Sequence, residues 1–593
     1  MLACVFDEDL RRTTNELGVN YWDTYIQEIN GMLGVHAGQV SLKDMEDAGR
    51  LEGIRALVLG TIAGANLSHR SAHVLQAWVE RGGVLIGFGV EGLDDVFGVE
   101  TIATVKQEPD EYSISAYFEL WPHPLTHEIH PGLSVEQRLF ALSDIQLVEA
   151  KGCTELARLY DTRGADLEFP AITWNGYGQG YAGYFAFDVA KTIWLLHQGR
   201  PQEAVYGQKT YPKTTGLQVL GGNSRKIPYA DEIALVLQNM IAQTPQPFVY
   251  QIPPMGDQVP DALLYWGGDE YHGPTELSLK ASEWMRAQGL GYHINMCYNH
   301  PITPQELKHI HDNGHEVSLY FQLHAEDGYT MKEERYSEET ELFERKFGFR
   351  PTCTVNKWLG WTGWAEPAKW MLGAGVQADN SFFGCTSHPS DHPLHNGPAF
   401  GFGFGTAFPF FFYDDAAHAN RRIDFLEEPI VCYEVGHRGS INGTDKQTSA
   451  AEEVHAPVDM ALKYHMTMSM FCHPAYIAGF PRCREAIEEI LRYIEYRGAR
   501  VLHMGNDAVC AWWRARSRSG VDQVEVRDDG MRFRCRCEYP SGMIVKVPAW
   551  SEVAWVAMCD RKPAGYTMRN EFGRAWLYVV VPSGTHSVEV SGG

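Results

Sequence analysis

The chain has 593 residues, more than one hydrophobic core usually supports, so two to four domains are expected. Hydrophobic residues make up 44% and charged residues 21%, as in ordinary globular proteins. The formal net charge of -25 repels phosphate groups, which argues against nucleic acid and anionic membranes as partners.

The N-terminal segment and the cysteines bear on the compartment. The start, MLACVFDEDLRRTTNELG, lacks a basic segment followed by an apolar one, and no apolar run is long enough to span a bilayer. Twelve cysteines are dispersed without a CxxC spacing, which favours reduced thiols over a disulfide framework. If this is the natural N-terminus, we expect a cytoplasmic protein.

The first region, residues 1–245, alternates strand-like and helix-like segments. Residues 54–60 (IRALVLG) form a continuous apolar run typical of a buried parallel strand. A helix with Ser68 as its N-cap follows and stops at a Gly-Gly pair, and residues 84–88 (VLIGF) indicate the next strand. This βαβ unit predicts a doubly wound α/β domain.

The order of these elements, with the phrases RGGVLIGF and GYGQGYAGYFAFD, resembles the class I glutamine amidotransferase-like superfamily. The family's amidotransferases carry a nucleophilic cysteine in a Gly-x-Cys-x-Gly turn after a strand. Here that turn, residues 87–92, is GFGVEG, and no cysteine lies between Cys4 and Cys153. We therefore expect a non-catalytic domain that packs, shapes the cleft or oligomerises, and a homo-oligomeric protein.

Two further regions follow a proline-rich stretch at residues 247–260. Residues 246–517 alternate again, and Thr303, Pro304 and Glu306 form a capping box that begins a helix. In residues 518–593, short alternating runs are separated by Asp-Gly and Ser-Gly turns, which favours a small β-sandwich.

Three strand-like runs in the middle region end in side chains that carry chemistry. LLYWGGDE ends in Asp269 and Glu270, GHEVSLYFQLH ends in His324, and MFCHP places His473 after an apolar run. Carboxylates and histidines at the carboxyl ends of barrel strands are typical of a hydrolase site.

Five segments of residues 261–517 occur in the order found in the polysaccharide deacetylase superfamily, which this region resembles. The resemblance implies a distorted (β/α) barrel, so the whole chain is expected to be an α/β multidomain protein. It also implies a metal-dependent hydrolase that removes an acyl group, chiefly acetyl, from a carbohydrate. A divalent metal, with zinc as the expected ion, would be the cofactor.

The resemblance also implies roles for single residues. Either Asp269 is the base and Glu270 a metal ligand, or Asp269 is the ligand and the base position falls on Gly268. His324 would be a second ligand and His473 the general acid. Asp379 resembles the family's carboxylate that orients the acid or the base.

Two positions depart from the family's pattern: Tyr320 and Lys357 stand where histidines are expected. The third metal ligand must then come from the other acidic residue or from a small set of neighbours: His272, Tyr320 or Gln322. With only two ligands, a metal-free pseudoenzyme that binds carbohydrate becomes an alternative. A glycoside hydrolase is another, and its paired carboxylates would join Asp269 or Glu270 with Asp379 or Glu427.

A further group of side chains is predicted to contact a sugar, mostly because aromatic rings stack on sugar rings. The aromatic members would serve equally well as core residues. The group consists of Trp266, Tyr320, Asn356, Trp358 and Trp361.

Overall fold

The computed structural model describes residues 1–130, 137–203, 211–270, 273–323, 330–385, 400–434, 451–549 and 554–592, with backbone only at 222–223 and 451–453. One contiguous apolar core contains side chains from all three predicted regions. The domain boundaries at residues 245 and 517 stay predictions. No helix within the described ranges has both the length and the apolar character that crossing a membrane requires.

The first region is built on a nine-stranded sheet with the order β2-β1-β3-β4-β11-β10-β9-β6-β7 in the elements defined here. Its strands, with a separate β5–β8 ribbon, are β1 (Leu2–Val5), β2 (Gly38–Val40), β3 (Ala56–Leu59), β4 (Val84–Phe88), β5 (Val99–Val105), β6 (Ala116–Leu120), β7 (Leu139–Ala141), β8 (Ile145–Ala150), β9 (Thr154–Tyr160), β10 (Asp166–Tyr177) and β11 (Gly180–Phe185). Its helices are α1 (Glu8–Glu16), α2 (Ile26–Leu33), α3 (Thr61–Gly64), α4 (His69–Glu80), α5 (Asp94–Phe97), α6 (Val189–Gln198) and α7 (Tyr229–Ile241).

The half of this sheet from β2 to β11 is parallel, and helices connect its strands. This confirms the mixed α/β class. The other half, from β11 to β7, is antiparallel and is an addition that the sequence patterns do not indicate. The predicted N-cap is present, since the Ser68 side chain accepts a hydrogen bond from the backbone N–H of Ser71.

The middle region follows β12 (Phe248–Val249) and is built on a curled, mostly parallel sheet. Its strands are β13 (Ala262–Glu270), β14 (His293–Met296), β15 (Glu316–Phe321), β16 (Cys353–Asn356), β17 (Ala378–Asp379), β18 (Phe410–Tyr413), β19 (Arg422–Glu427), β20 (Ile430–Tyr433), β21 (Thr467–Phe471) and β22 (Val501–Met504). Its helices are α8 (Thr275–Ala287), α9 (Pro304–Asp312), α10 (Glu333–Phe347), α11 (Glu366–Gly373), α12 (Ala451–Tyr464), α13 (Pro474–Gly479), α14 (Pro481–Tyr496) and α15 (Asn506–Arg518).

The strand order is β18-β19-β17-β16-β15-β14-β13-β21-β20, and β22 pairs with β13. A parallel bridge between Phe383 and Ile430 joins the chain after β17 to β20, so the sheet curls back towards its own start. The predicted capping box is confirmed. Thr303 Oγ1 accepts a hydrogen bond from Glu306 N at 3.3 Å, and Glu306 Oε2 accepts one from Thr303 N at 2.8 Å.

The last region consists of antiparallel strands, as its alternating sequence predicts. They are β23 (Gly520–Val526), β24 (Gly530–Cys537), β25 (Met543–Pro548), β26 (Trp555–Cys559), β27 (Lys562–Pro563), β28 (Tyr566–Glu571), β29 (Arg574–Val581) and β30 (Gly584–Gly592). They form two sheets, β12-β25-β29-β28 and β23-β24-β30-β26-β27, so a strand from the proline-rich stretch belongs to the C-terminal region. That the two sheets make a sandwich stays a prediction.

A buried arginine ties the first region to the other two. The Arg516 guanidinium, on α15, donates to the carbonyl groups of Gly31 and Met32 at the end of α2, at 2.9 and 3.0 Å. It also donates to the carbonyl groups of Val249 and Tyr250, at 2.9 and 3.0 Å. One side chain therefore satisfies carbonyl groups at a helix end and along the connecting strand.

We expect Arg516→Met to lower the free energy of unfolding by about 3 kcal/mol, because it removes four hydrogen bonds that a buried cation donates to carbonyl groups. The Gly31 and Met32 carbonyl groups keep Gly34 N and Gln251 Nε2 as donors. Urea denaturation measures this loss.

The control is Arg518→Met, which removes an exposed ion pair with Glu538 and should cost about 0.5 kcal/mol or less. Equal losses in the two variants would contradict the clamping role of Arg516.

Candidate active site

Three neighbouring parallel strands bring a carboxylate, a histidine and a second carboxylate together. In the pairing of β13 with β21, Gly267 lies opposite Phe471, and in that of β20 with β21, Tyr433 lies opposite Phe471. Asp269 and His473 therefore each lie two residues beyond this level, and Glu434 lies one residue beyond it. Because the strands are parallel, the three side chains meet at the carboxyl edge of the sheet.

His473 is held between the two carboxylates. Its Nε2 lies 2.9 Å from Asp269 Oδ1, and its Nδ1 pairs with Glu434 Oε1. The same Glu434 oxygen accepts a hydrogen bond from the backbone N–H of His473 at 2.7 Å. The Glu434 side chain is 1% exposed, whereas those of His473 and Asp269 are 22% and 11% exposed. Glu434 therefore supports the His473 ring from the protein interior, and Asp269 and His473 lie on the side that solvent reaches.

Local backbone geometry aims these side chains. His473 precedes Pro474, which favours extended backbone, and it has φ -63° and ψ 139° just before α13. Glu434 has φ +48°, in the left-handed region that a residue with a Cβ rarely adopts. Such strain persists where the surrounding structure imposes it, often at functional sites.

The charge on His473 follows from its neighbours. Burial alone would lower the pKa of His473, but the charges of Asp269 and Glu434 and their hydrogen bonds outweigh burial and raise it well above the usual 6.5. The raised pKa favours the protonated imidazole, whose Nε2–H would donate to Asp269. Aromatic rings surround it, with centroids 5.4 Å away in Phe471, 5.9 Å in Tyr433 and 5.1 Å in Tyr476.

Glu270, the other member of the acidic pair, is not one of the two carboxylates that pair with the histidine, although the charge of His473 lowers its pKa. Its Oε1 accepts a hydrogen bond from the backbone N–H of Gly273 at 2.7 Å, and its Oε2 is buried without a hydrogen-bond partner among the described residues. The pKa of Glu270 is raised above its usual value, chiefly by burial. The hydrogen bond from Gly273 lowers this pKa, and the charge of Asp269 raises it further. A catalytic or metal-binding role for Glu270 stays a prediction.

The predicted metal site is tested only in part, because His324 and His272 lie outside the described residues. Within the described chain, the groups of three side chains close enough to hold an ion include neither Asp269 nor Glu270. Of the other candidates, Tyr320 Oη accepts a hydrogen bond from Trp358 N at 3.2 Å, and Gln322 Nε2 donates to Asn299 Oδ1 at 2.9 Å. The described donors at the acidic pair therefore do not make up a metal site by themselves.

Two of the groups close enough to hold an ion lie in the middle region, and one of them has a structural explanation. His293 Nδ1 lies 3.1 Å from Glu316 Oε2 and 3.5 Å from Asp507 Oδ1. Glu316 accepts hydrogen bonds from the backbone N–H groups of Asp507 and Ala508 in the first turn of α15. These side chains cap a helix, as a carboxylate at a helix N-terminus does.

Of the five residues predicted to contact a sugar, Trp358 alone is exposed, at 45%. Trp266 and Trp361 are fully buried, and their indole N–H groups donate to His503 Nδ1 and to the Trp364 carbonyl group. The prediction is wrong for these two tryptophans, because neither ring offers a face to a ligand. Asn356 and Tyr320 are also buried, and neither polar atom of the Asn356 amide has a hydrogen-bond partner within the described chain, so their contact with a sugar stays a prediction.

Trp358 has an unusual backbone at the carboxyl end of β16. It and Leu359 have φ values of +55° and +57°, so two successive residues with a Cβ adopt left-handed conformations. The hydrogen bond from Trp358 N to the Tyr320 hydroxyl helps to hold this turn. Lys357, which stands where the deacetylase family has a histidine, is buried, with its Nζ 5.3 Å from the Trp358 ring centroid.

Asp379 lies at the end of β17, and its role of orienting the acid or the base stays a prediction. It is fully buried, and its Oδ2 accepts a hydrogen bond from Ser381 N at 2.9 Å. Burial raises the pKa of Asp379 to about 7, although hydrogen bonds from Ser381 and Thr354 lower it. Glu427 is also fully buried, so neither carboxylate faces a cleft, and the pairs suggested for a glycoside hydrolase are wrong.

The residue that supports His473 is Glu434, which sequence reasoning missed. Its signal is present, because residues 430–434 read IVCYE, a strand-like run that ends in an acid as residues 263–270 do. Applying the same rule to every apolar run would have found it.

Comparisons with known proteins give only remote likenesses. No family model matches the sequence, and no curated protein matches it. Among solved structures, a putative polysaccharide deacetylase from Mycobacterium smegmatis is 12% identical, over 47% of this chain and 98% of that chain, with a TM-score of 0.32. Puue allantoinase is 14% identical, over 44% and 94% of the two chains, with a TM-score of 0.31.

A β-galactosidase from Rahnella sp. R3 is 18% identical, over 31% of this chain and 28% of that chain, with a TM-score of 0.25. The chain therefore spans less than a third of that protein. All three names are those of enzymes, but the likenesses are too distant to establish a reaction. None of the three supports the amidotransferase-like resemblance of the first region, which stays a prediction.

We expect Glu434→Gln to lower the pKa of His473, because a neutral amide does not stabilise the imidazolium. NMR titration of ring-labelled histidine measures this pKa. The folded pKa exceeds the unfolded value near 6.5, so the two ion pairs stabilise the fold fully below that pH. Their contribution is lost as the pH rises through the folded pKa.

Glu489→Gln is the matched control, since Glu489 pairs with His455 elsewhere on the surface. It should leave the His473 titration unchanged. An unshifted titration in Glu434→Gln would show that Glu434 does not hold the histidine's charge.

Proposed function

We propose that the chain is a hydrolase that removes an acyl group from a carbohydrate, with Asp269, His473 and Glu434 as its acid–base machinery. The observation that carries the proposal is the histidine held between two carboxylates at the carboxyl edge of three parallel strands. A charged histidine facing an accessible carboxylate provides an acid and a base side by side. Pairs of titratable groups with opposite proton preferences are typical of active sites.

The reaction follows from these positions. Asp269 takes a proton from a water molecule while the water oxygen forms a bond to the acyl carbon. As the bond from that carbon to the sugar nitrogen or oxygen breaks, His473 Nε2 gives its proton to the leaving atom. Glu434 keeps the ring oriented and stabilises the imidazolium from the Nδ1 side, as the buried carboxylate of a catalytic triad does.

The sugar would rest on Trp358, whose exposed ring lies at the carboxyl end of β16 on the same edge of the sheet. A flat aromatic face suits the apolar face of a pyranose ring. A divalent metal stays part of the proposal: with Asp269 as the base, Glu270 and His324 would hold it, and in the alternative register Asp269 would be a ligand. Its chemistry when bound would be to polarise the acyl carbonyl group.

We expect Asp269→Asn and His473→Gln each to lower kcat/KM by about 10²–10⁴-fold, because each removes one proton-transfer group. Release of acetate from acetylated xylan and from N-acetylglucosamine oligomers measures the activity. His418→Gln, at an exposed histidine, is the matched control. Trp358→Ala should raise KM with little change in kcat.

Unchanged turnover in Asp269→Asn and His473→Gln, with both variants folded, would contradict the proposal. Binding of these carbohydrates without acetate release by the wild-type protein would instead support a pseudoenzyme.

We expect one divalent metal ion per chain in the purified protein, and its loss in His324→Ala, if the predicted ligands hold it. Elemental analysis measures the metal, and activity is assayed before and after chelation. His309→Ala, at an exposed histidine, should retain the ion. Full activity in a metal-free protein would refute the metal prediction while leaving the acid–base assignment in place.

A further inference from the structure

A second cavity lies away from the candidate active site, between the first region and the barrel sheet. Its volume is 200 Å³, several times the roughly 30 Å³ that one water molecule occupies in the liquid. Residues of α2, β18, β19 and α15 line it, and they include Glu28, Asn30, Phe411, Arg422, Trp513 and Arg516. Polar and apolar side chains thus both line the cavity, whose volume is comparable with that of one sugar ring.

Asn30 is the polar group that the fold leaves without a partner. It is 1% exposed and lines the cavity, yet neither its Nδ2 nor its Oδ1 has a hydrogen-bond partner within the described chain. A buried amide without partners costs free energy. It offers a donor and an acceptor side by side, an arrangement that matches adjacent hydroxyl groups.

The two arginines that line the cavity, Arg422 and Arg516, determine which charge on a polar ligand is favoured. The Arg516 guanidinium donates its hydrogen bonds to backbone carbonyl groups, so this charged group is a fixed part of the cavity wall. The Arg422 guanidinium stacks on the Phe411 ring at 3.6 Å, has no hydrogen-bonding partner among the described residues, and acts through its charge on Glu28, whose pKa is raised by burial and lowered by this charge. An exposed, planar guanidinium positioned in this way suits a carboxylate.

Glu28 is a further polar side chain that lines the cavity. One of its oxygens accepts a hydrogen bond from the backbone N–H of Phe411 at 3.0 Å. The charges of Arg422 and Arg516 act on this carboxyl group, which we assign to a ligand hydroxyl group. With two guanidinium groups against one carboxyl group, the wall favours a ligand that carries a single negative charge.

We propose that this cavity binds a sugar acid of the size of one hexuronate, with its carboxylate on Arg422 and its hydroxyl groups on Asn30 and Glu28. The inference does not rest on the proposed function, since the cavity shares no residue with the His473 site. It gives the first region a role in ligand binding, because α2 supplies both Asn30 and Glu28.

Calorimetric titration with D-galacturonate and D-glucuronate tests the proposal, with D-galactose and D-glucose as neutral partners of the same ring. We expect a uronate to bind at least about tenfold more tightly than its neutral partner, because of the charge-assisted contact with Arg422. Arg422→Met should remove this preference, and Asn30→Leu should abolish binding. The control Asn66→Leu, at an exposed asparagine of the first region, should bind as the wild type does.

Two further measurements keep the result unambiguous. Uronate affinity should be unchanged in His473→Gln, which separates this cavity from the candidate active site. Asn30→Leu should not lower Tm, because it removes a buried amide that has no partner. Absence of uronate binding at millimolar concentration, undiminished affinity in Asn30→Leu, or a clear drop in its Tm would overturn the proposal.

Discussion

The parallel register of β13, β21 and β20 is the constraint on which the candidate site depends. Gly267, Phe471 and Tyr433 lie side by side in the three strands, and beyond that level each strand contributes one polar side chain. The backbone N–H of Glu434 donates to the carbonyl group of Phe471, and that of Cys472 donates to the carbonyl group of Gly267. Ladder hydrogen bonds therefore fix Asp269, His473 and Glu434 relative to one another.

This arrangement places three ionisable side chains, those of Asp269, His473 and Glu434, where little solvent reaches them. Glu434 is buried and His473 mostly so, and both would be costly to ionise alone. Each offsets the cost of the other, and the partly exposed Asp269 completes the set. The consequence is a histidine whose pKa is raised, beside a carboxylate that faces the accessible side. The proposed site for proton transfer depends on this pairing and burial, with backbone strain at Glu434 as an added cost.

The elements that position the site follow from local sequence signals. The run that ends in Asp269, the capping box at Thr303 and the strand before His473 are all present, because apolar patterning and capping are local. Burial of single side chains is not local, so Trp361 and Asp379 proved to be interior residues. Glu434 was missed because its partner is 39 positions away and depends on strand order, which patterning does not give.

The pH dependence of kcat/KM for acetate release by the wild-type protein tests the central claim most directly. If Asp269 acts as base and protonated His473 as acid, activity should form a bell whose alkaline limb lies well above pH 6.5, where His473 loses its proton. An alkaline limb at the usual histidine pKa, or activity that grows as His473 is deprotonated, would contradict the account.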